Sequence, residues 1–308
     1  MIEDYNVIIV GGGPAGISAG IYAKYDGNNP LIIEEKTLAW IPEKHVNLLE
    51  KLEGFPALLN TVNGTQLVDR FRFSLSEMGV EYIEGVRVEK VTPGDGEIIV
   101  ETTNGTYKTR AVIVATGTVP ITLDTKLVNG HKKEVYYFAY NNFKDYIGKE
   151  VAVLGSRNSG STAAIYLAKR GLKVTIFEIK DTVQAKYKHT QHFEPLGIKT
   201  ITSAKVKRLE GSQSLERLVY EKDGQDQTID CRAVFCYIGV RPLLDIANDL
   251  KLPLNEQGYV DTNFYQTSPT PGLFVAGDMC GDLKHIIAAC GQGAKAAYNV
   301  NKYFSAHK

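Results

Sequence analysis

The chain has 308 residues, with 35 basic side chains against 35 acidic ones, so no nucleic-acid footprint and no anionic membrane surface is expected, and any electrostatic recognition is local. That length allows two domains of ordinary size, each with its own core. The four cysteines, Cys231, Cys236, Cys280 and Cys290, match neither a zinc pattern nor a C-x-x-C redox pair, and no metal site is expected.

In chain order, the start "MIEDYNVIIV" is acidic and its apolar run is short, which predicts neither a signal peptide nor a membrane span, and a soluble cytoplasmic protein. Residues 7–35 read as an apolar strand, a glycine loop, a small-residue helix and a second apolar strand ending in Glu34 and Glu35. The loop Gly11-Gly12-Gly13-Pro14-Ala15-Gly16 satisfies G-x-G-x-x-G between strand and helix. Gly11 permits the tight turn, Gly13 lets backbone approach a pyrophosphate, and Gly16 lets helix and strand pack closely. The helix N-terminus offers free N–H groups to the phosphates, and Glu34 stands where a carboxylate accepts from an adenosine ribose.

"EIIVETTNGTYKT" then reads as a hairpin, and "RAVIVATGTVP" as an outgoing strand and turn. At 151–178, "VAVLGSRNSGSTAAIYLAKRGLKVTIFE" repeats the opening unit: Gly155 precedes Glu178 by 23 residues, the interval from Gly11 to Glu34. Its loop keeps Gly155 and Gly160, but Arg157 takes the second glycine position; with Asn158, Ser159 and Glu178 these are the candidate contacts to a nicotinamide nucleotide. The Arg157 side chain crowds an approaching pyrophosphate, pairs with a phosphate if the loop shifts, or is an exposed arginine on a turn that no longer binds anything. "LERLVYEKDGQDQTID" is a second hairpin, and "RAVFCYIGVRP" matches "RAVIVATGTVP". The closing segment, with "GLFVAGD", is a strand, a loop and a long helix. These elements predict an α/β protein of two tandem Rossmann-like, three-layer ββα dinucleotide-binding domains, the second inserted in the first: residues 1–117 with 243–308, and residues 118–242.

"GGGPAG", the strand-end glutamate, "VIVATG", "LFVAGD" and "GQGAKAA", in this order and at these intervals, resemble the low-molecular-weight thioredoxin reductases, flavoproteins with an FAD domain and an inserted NADPH domain. The likeness covers nearly the whole chain. It implies FAD contacts from Gly11, Gly13, Pro14, Ala15 and Gly16 at the pyrophosphate and from Glu34 and Glu35 near the ribose. Arg87 and Val88 fall on the family's adenine-side strand, Ala115, Thr116 and Gly117 on its conserved turn, and Gly277 and Asp278 at its ribityl contact. Lys284, His285 and Ile286 take the place of a triplet beside the flavin. It also implies a homodimer.

Three departures from the family bear on function. The family's dithiol would fall in "YFAYNNF", at Phe138 and Asn141, which carry no sulfur, so thioredoxin reduction by a thiolate and a resolving thiol is not expected. In the second repeat, Glu178 stands where the family has cationic residues for a 2′-phosphate, so a nicotinamide cofactor would be NADH in preference to NADPH. Trp40 and Lys51 replace small and amide residues beside the flavin: Trp40 covers the ring or anchors a loop, and Lys51 bonds the flavin or points to water. No general acid or base is assigned; Lys51, His285 and Cys280 are the catalytic candidates. The expected function is an FAD-dependent oxidoreductase moving electrons between NADH, or a protein electron carrier, and a non-disulfide acceptor. The alternatives are an FAD-binding sensor or partner-binding module with little turnover, and a disulfide reductase working through Cys280.

Overall fold

The computed structural model describes residues 5–263, 266–281 and 283–307. The chain opens with β1 (Val7–Val10), α1 (Pro14–Tyr25), β2 (Pro30–Glu34), α2 (Trp40–Leu48), α3 (Gly64–Met78) and β3 (Glu81–Glu84), then β4 (Val88–Pro93), β5 (Ile98–Thr102), β6 (Gly105–Thr109), β7 (Ala111–Val114) and β8 (Thr118–Pro120). A second unit follows with α4 (Thr125–Val128), β9 (Val135–Tyr136), β10 (Glu150–Leu154), α5 (Asn158–Ala168), β11 (Lys173–Phe177), α6 (Tyr187–Thr190), β12 (Lys199–Ile201), β13 (Lys205–Glu210), β14 (Arg217–Lys222), β15 (Gln225–Asp230), β16 (Val234–Cys236) and β17 (Val240–Pro242). The return adds α7 (Asp245–Asp249), β18 (Leu273–Val275) and α8 (Ile286–Ala306).

In the first unit a parallel sheet of order β18-β7-β1-β2-β3 is buried on both faces, which is why β1 and β7 are unbroken apolar runs. Alternation along each strand separates two cores. Ile9, Ile32 and Ile113 pack with Ile17, Ala19, Ala296 and Val300 of the helices. Ile8, Leu31 and Val112 pack with Val88, Val91, Ile98 and Val100 of the antiparallel sheet β4-β5-β6. A helix layer, a parallel sheet and a small antiparallel sheet result, the expected ββα sandwich.

The second unit repeats the plan with a parallel sheet of order β12-β11-β10-β16-β9. Val151, Val153 and Ile176 pack with Ala163, Ala164 and Leu167 of α5, and Ala152, Leu154 and Phe177 with Leu209, Leu218 and Tyr220 of the antiparallel sheet β13-β14-β15. Both predicted hairpins are present, as β5–β6 and β14–β15.

The compact units are Met1–Glu43 with Lys51–Val119 and Arg241–Lys308, and Lys44–Glu50 with Pro120–Val240. The expected boundaries of 117 and 243 lie two residues from these limits, and Lys44–Glu50 groups with the second unit. The reason for that grouping is packing: Leu48 is buried in the second unit's core with Ala139, Val151 and Leu167. The two chain crossings, β8 and β17, pair with each other. Among the described residues no helix is long and apolar enough to cross a membrane.

Candidate functional site

The three fingerprint glycines between β1 and α1 are required for different reasons. Gly11 has φ of +110°, and a Cβ there would lie 2.4 Å from the Ala115 carbonyl oxygen. A Cβ at Gly16 would lie 1.9 Å from the Gly11 carbonyl oxygen. Gly13 is different: its backbone is extended, with φ −75° and ψ −179°, and a Cβ would meet nothing within 4 Å. Gly11 and Gly16 thus serve the turn and its packing, and Gly13 leaves an open cradle at the start of a 12-residue helix. No side chain caps that helix, and Pro14 stands in its first turn, so the first-turn N–H groups face the cradle without an intrahelical partner.

Other segments converge on this loop. The Ala115 amide donates to Val10 O at 2.8 Å, and the Thr116 hydroxyl donates to Leu243 O at 2.9 Å. The Leu243 amide donates to Gly117 O at 3.0 Å. Gly277, with φ of +87°, comes so close to α1 that a Cβ would lie 2.9 Å from Ala15 Cβ, and its amide donates to Gln292 Oε1 at 2.7 Å. A Cβ at Gly293 would lie 2.0 Å from Ala15 O. Ala15 is therefore where α1, the Gly277-Asp278 turn and α8 meet.

Asp278 is half-buried, and burial pushes its carboxyl above the usual range while Lys284 and His285 pull it back. Lys284 Nζ lies 4.4 Å from the Tyr259 ring centroid. His285 is exposed as the N-cap of α8, and Ile286 begins that helix.

The Glu34 carboxylate accepts from the Gly12 amide at 2.6 Å and from the Lys36 amide at 2.9 Å, and Glu35 beside it is exposed. The Val86 amide donates to Glu34 O at 3.1 Å, which sets Arg87 and the buried Val88 beside the strand end. Arg87 itself is exposed and reaches Asp245 Oδ2 at 3.3 Å. Trp40 follows Ala39, whose amide donates to Gly12 O at 2.9 Å, and Lys36 Nζ sits 4.1 Å from the Trp40 ring centroid. Lys51 is exposed, three residues past the end of α2.

The second loop, between β10 and α5, keeps the same backbone. A Cβ at Gly155 would lie 2.4 Å from Tyr237 O, and one at Gly160 would lie 2.0 Å from Gly155 O. Arg157 adopts φ −65° and ψ 176°, the conformation of Gly13. The replaced glycine is thus the one the turn does not need. Arg157, Asn158 and Ser159 are exposed, and Asn158 Oδ1 accepts from the Lys186 amide at 3.3 Å.

Glu178 is buried, and its Oε2 accepts from both the amide of Ser156, at 3.0 Å, and its hydroxyl, at 2.5 Å. Oε1 accepts from the Lys180 amide at 3.1 Å. Burial alone would raise this carboxyl, but the bonds from the Ser156 hydroxyl and from the Lys180, Ser156 and Ile179 amides outweigh it and hold the group below its usual range. Ser156 and Gln292 were not among the residues singled out from sequence. Ser156 could have been found by setting the two loops side by side, where it replaces Gly12.

At the expected dithiol positions, the Phe138 ring lies edge-on to His45, 5.9 Å between centroids, and Asn141 adopts φ of 64°. The buried Ala139 between them donates its amide to Tyr237 Oη at 2.9 Å. Tyr140 and Phe143 both pack on Tyr166, over which the Arg170 guanidinium stacks at 3.6 Å. Burial pushes the Cys231 thiol up to about 12 and those of Cys236 and Cys290 up to about 11, which disfavours the nucleophilic thiolate. Cys280 is half-buried, its sulfur 3.8 Å from Gln266 Oε1.

Known proteins agree with this arrangement. Residues 5–293 match the pyridine nucleotide-disulphide oxidoreductase family. The chain is 31% identical over 309 residues to the 34.2 kDa protein in rubredoxin operon of Clostridium pasteurianum, covering 98% of this chain and 97% of that protein. It is 30% identical over 308 residues to the thioredoxin reductase of Bacillus subtilis, covering 97% and 94%. The crystal structure of T. acidophilum thioredoxin reductase superposes with a TM-score of 0.89 at 26% identity, covering 99% of each chain. With a matched span that takes in both glycine loops and the first turns of α8, the chain belongs to the pyridine nucleotide-disulphide oxidoreductase family.

Proposed function

We propose that the chain is an FAD-dependent oxidoreductase that passes electrons to an acceptor other than a disulfide exchanged through an enzyme dithiol. The observation that carries the FAD assignment is the convergence at Ala15 of the open Gly13 cradle, the Gly277-Asp278 turn and α8. Gly11, Gly13, Pro14, Ala15 and Gly16 would hold the pyrophosphate, and Glu34, with carboxylate capacity to spare, the adenosine ribose. Asp278 would accept from the ribityl chain, with Thr116 and Gly117 beside it. Arg87 and Val88 would flank the adenine, and Lys284, His285 and Ile286 the flavin ring. Bound FAD would supply two-electron redox chemistry, and the protein positions and tunes it. Lys51 and Trp40 are assigned to the flavin's surroundings, and His285 and Lys51 are the first side chains to substitute.

The absence of sulfur at Phe138 and Asn141, with three of the four thiols held neutral by burial, supports a non-disulfide acceptor. The electron donor is NADH or a protein electron carrier. Cytoplasmic residence and a homodimer are part of the same proposal, the latter checked by light scattering. An anaerobic titration tests the function: the purified protein is expected to be yellow, with one FAD per chain, and its flavin band to bleach with a physiological donor. A colourless protein that takes up no FAD would overturn it. Bleaching by dithionite and by neither NADH nor NADPH would favour a protein electron donor or the binding-module reading.

One observation favours a second reading, since Cys280 follows Asp278 in the flavin-proximal turn. Disulfide reduction through Cys280 predicts that Cys280→Ser abolishes activity toward a disulfide substrate; retained activity would remove that reading.

A further inference from the structure

The two glycine loops of this chain form an internal comparison, and they differ at the position that faces the strand-end carboxylate. In the first, Gly12 offers only its amide, and Glu34 accepts two N–H groups, from Gly12 and Lys36. A carboxylate has about four acceptor positions, so Glu34 has two left for the vicinal hydroxyls of a ribose. In the second loop the corresponding residue is Ser156, completely buried, and its hydroxyl adds a third donor to the Glu178 carboxylate, beside the Ser156 amide on the same oxygen and the Lys180 amide on the other. The hydroxyl is held in that direction from behind, because Ser156 Oγ accepts from the Gln184 amide at 2.9 Å. Glu178 is 7% exposed and has one acceptor position left against two on Glu34, so a ribose presenting two vicinal hydroxyls would have to displace one of these bonds. One residue on, Arg157 places a side chain where the first loop keeps the open cradle of Gly13.

We propose that Ser156 is the specificity-determining residue of the second loop: its hydroxyl has taken the ribose's place on Glu178 and, together with Arg157, closes this loop to nicotinamide dinucleotides. This deepens the proposed function and rests on it for its consequence, since of the two donors named there it leaves the protein electron carrier. Glu178 is then a positioning residue that fixes the loop and exerts no choice between NADH and NADPH, contrary to the expectation from sequence.

The size of the effect follows from the bonds concerned. A hydrogen bond to a charged group contributes about 1.5–3 kcal/mol, which is roughly a tenfold to hundredfold change in affinity. The test is isothermal titration calorimetry of the purified full-length protein with NADH, with NADPH, and with ADP-ribose, which presents the adenosine ribose and pyrophosphate and carries out no redox chemistry. The unaltered protein is expected to bind all three with Kd above about 1 mM, and the double variant Ser156→Gly, Arg157→Gly, which copies the first loop, to bind ADP-ribose and NADH at least tenfold more tightly. Ser156→Ala with Arg157→Gly removes the hydroxyl and keeps the Cβ, and serves if the glycine variant melts early. Micromolar binding of NADH or NADPH by the unaltered protein would overturn the proposal, and so would the absence of any gain in a folded variant. FAD content, measured by absorbance on the same samples, reads the proposed function separately.

Discussion

At Gly13 a methyl group would touch nothing, whereas at Gly16, three residues along the same loop, it would be driven into the Gly11 carbonyl. The two positions therefore separate ligand binding from folding. Gly13→Arg, which copies the second loop, should leave the melting temperature of the FAD-free protein within about a degree of the original and weaken FAD binding at least tenfold. Gly16→Ala should cost about 1–3 kcal/mol of stability through overpacking. Thermal melts with and without FAD check both, and equal losses of stability in the two variants would contradict the division of roles.

Glu178 gives a pH dependence whose sign is fixed. Its carboxyl is held below the ordinary value of 4.5, so its stabilising contribution is complete above that value and disappears as the pH falls through the lowered one. Glu178→Gln should therefore flatten the acid limb of the stability curve and lose about 1–3 kcal/mol near neutrality. Urea titrations between pH 3 and 7 measure both, and an unchanged acid limb would mean the carboxylate is not held as described.

Among the elements, the segment around Phe138 and Asn141 has become a packed piece of the second core. The Tyr237 hydroxyl accepts from the buried Ala139 amide, and aromatic rings close around it. Tyr237→Phe strands that N–H, a cost of about 1–3 kcal/mol, read as a shift of the denaturant midpoint at constant slope. The elements themselves were legible in the sequence because their signals are local: apolar runs, turn residues and glycine loops recur at the same spacing in both repeats. The transfer of Lys44–Glu50 was not legible, because it depends on Leu48 meeting Ala139 and Leu167, residues far away in the chain. At the site, the glycines, Glu34 and Asp278 could be placed from motif spacing. The Ser156 bond to Glu178 could not, since it joins two residues 22 positions apart through a side chain that no fingerprint specifies.

At the scale of the whole molecule, each unit has its own pair of cores, and the glycine loop assigned to FAD lies in the first unit alone. Calorimetry of the FAD-free protein should resolve two transitions, of which FAD raises one. At a hundredfold excess over Kd the shift corresponds to about 2.7 kcal/mol. A single transition moved as a whole would show that the units melt together.

The open position shared by Gly13 and Arg157 has a practical consequence. Because neither residue is needed to hold its turn, the two loops can be varied there without a folding filter. A library of all residue types at position 157 on a Ser156→Gly background, sorted on ADP-ribose binding, would report ligand preference directly, with the unaltered first loop in every molecule as its reference.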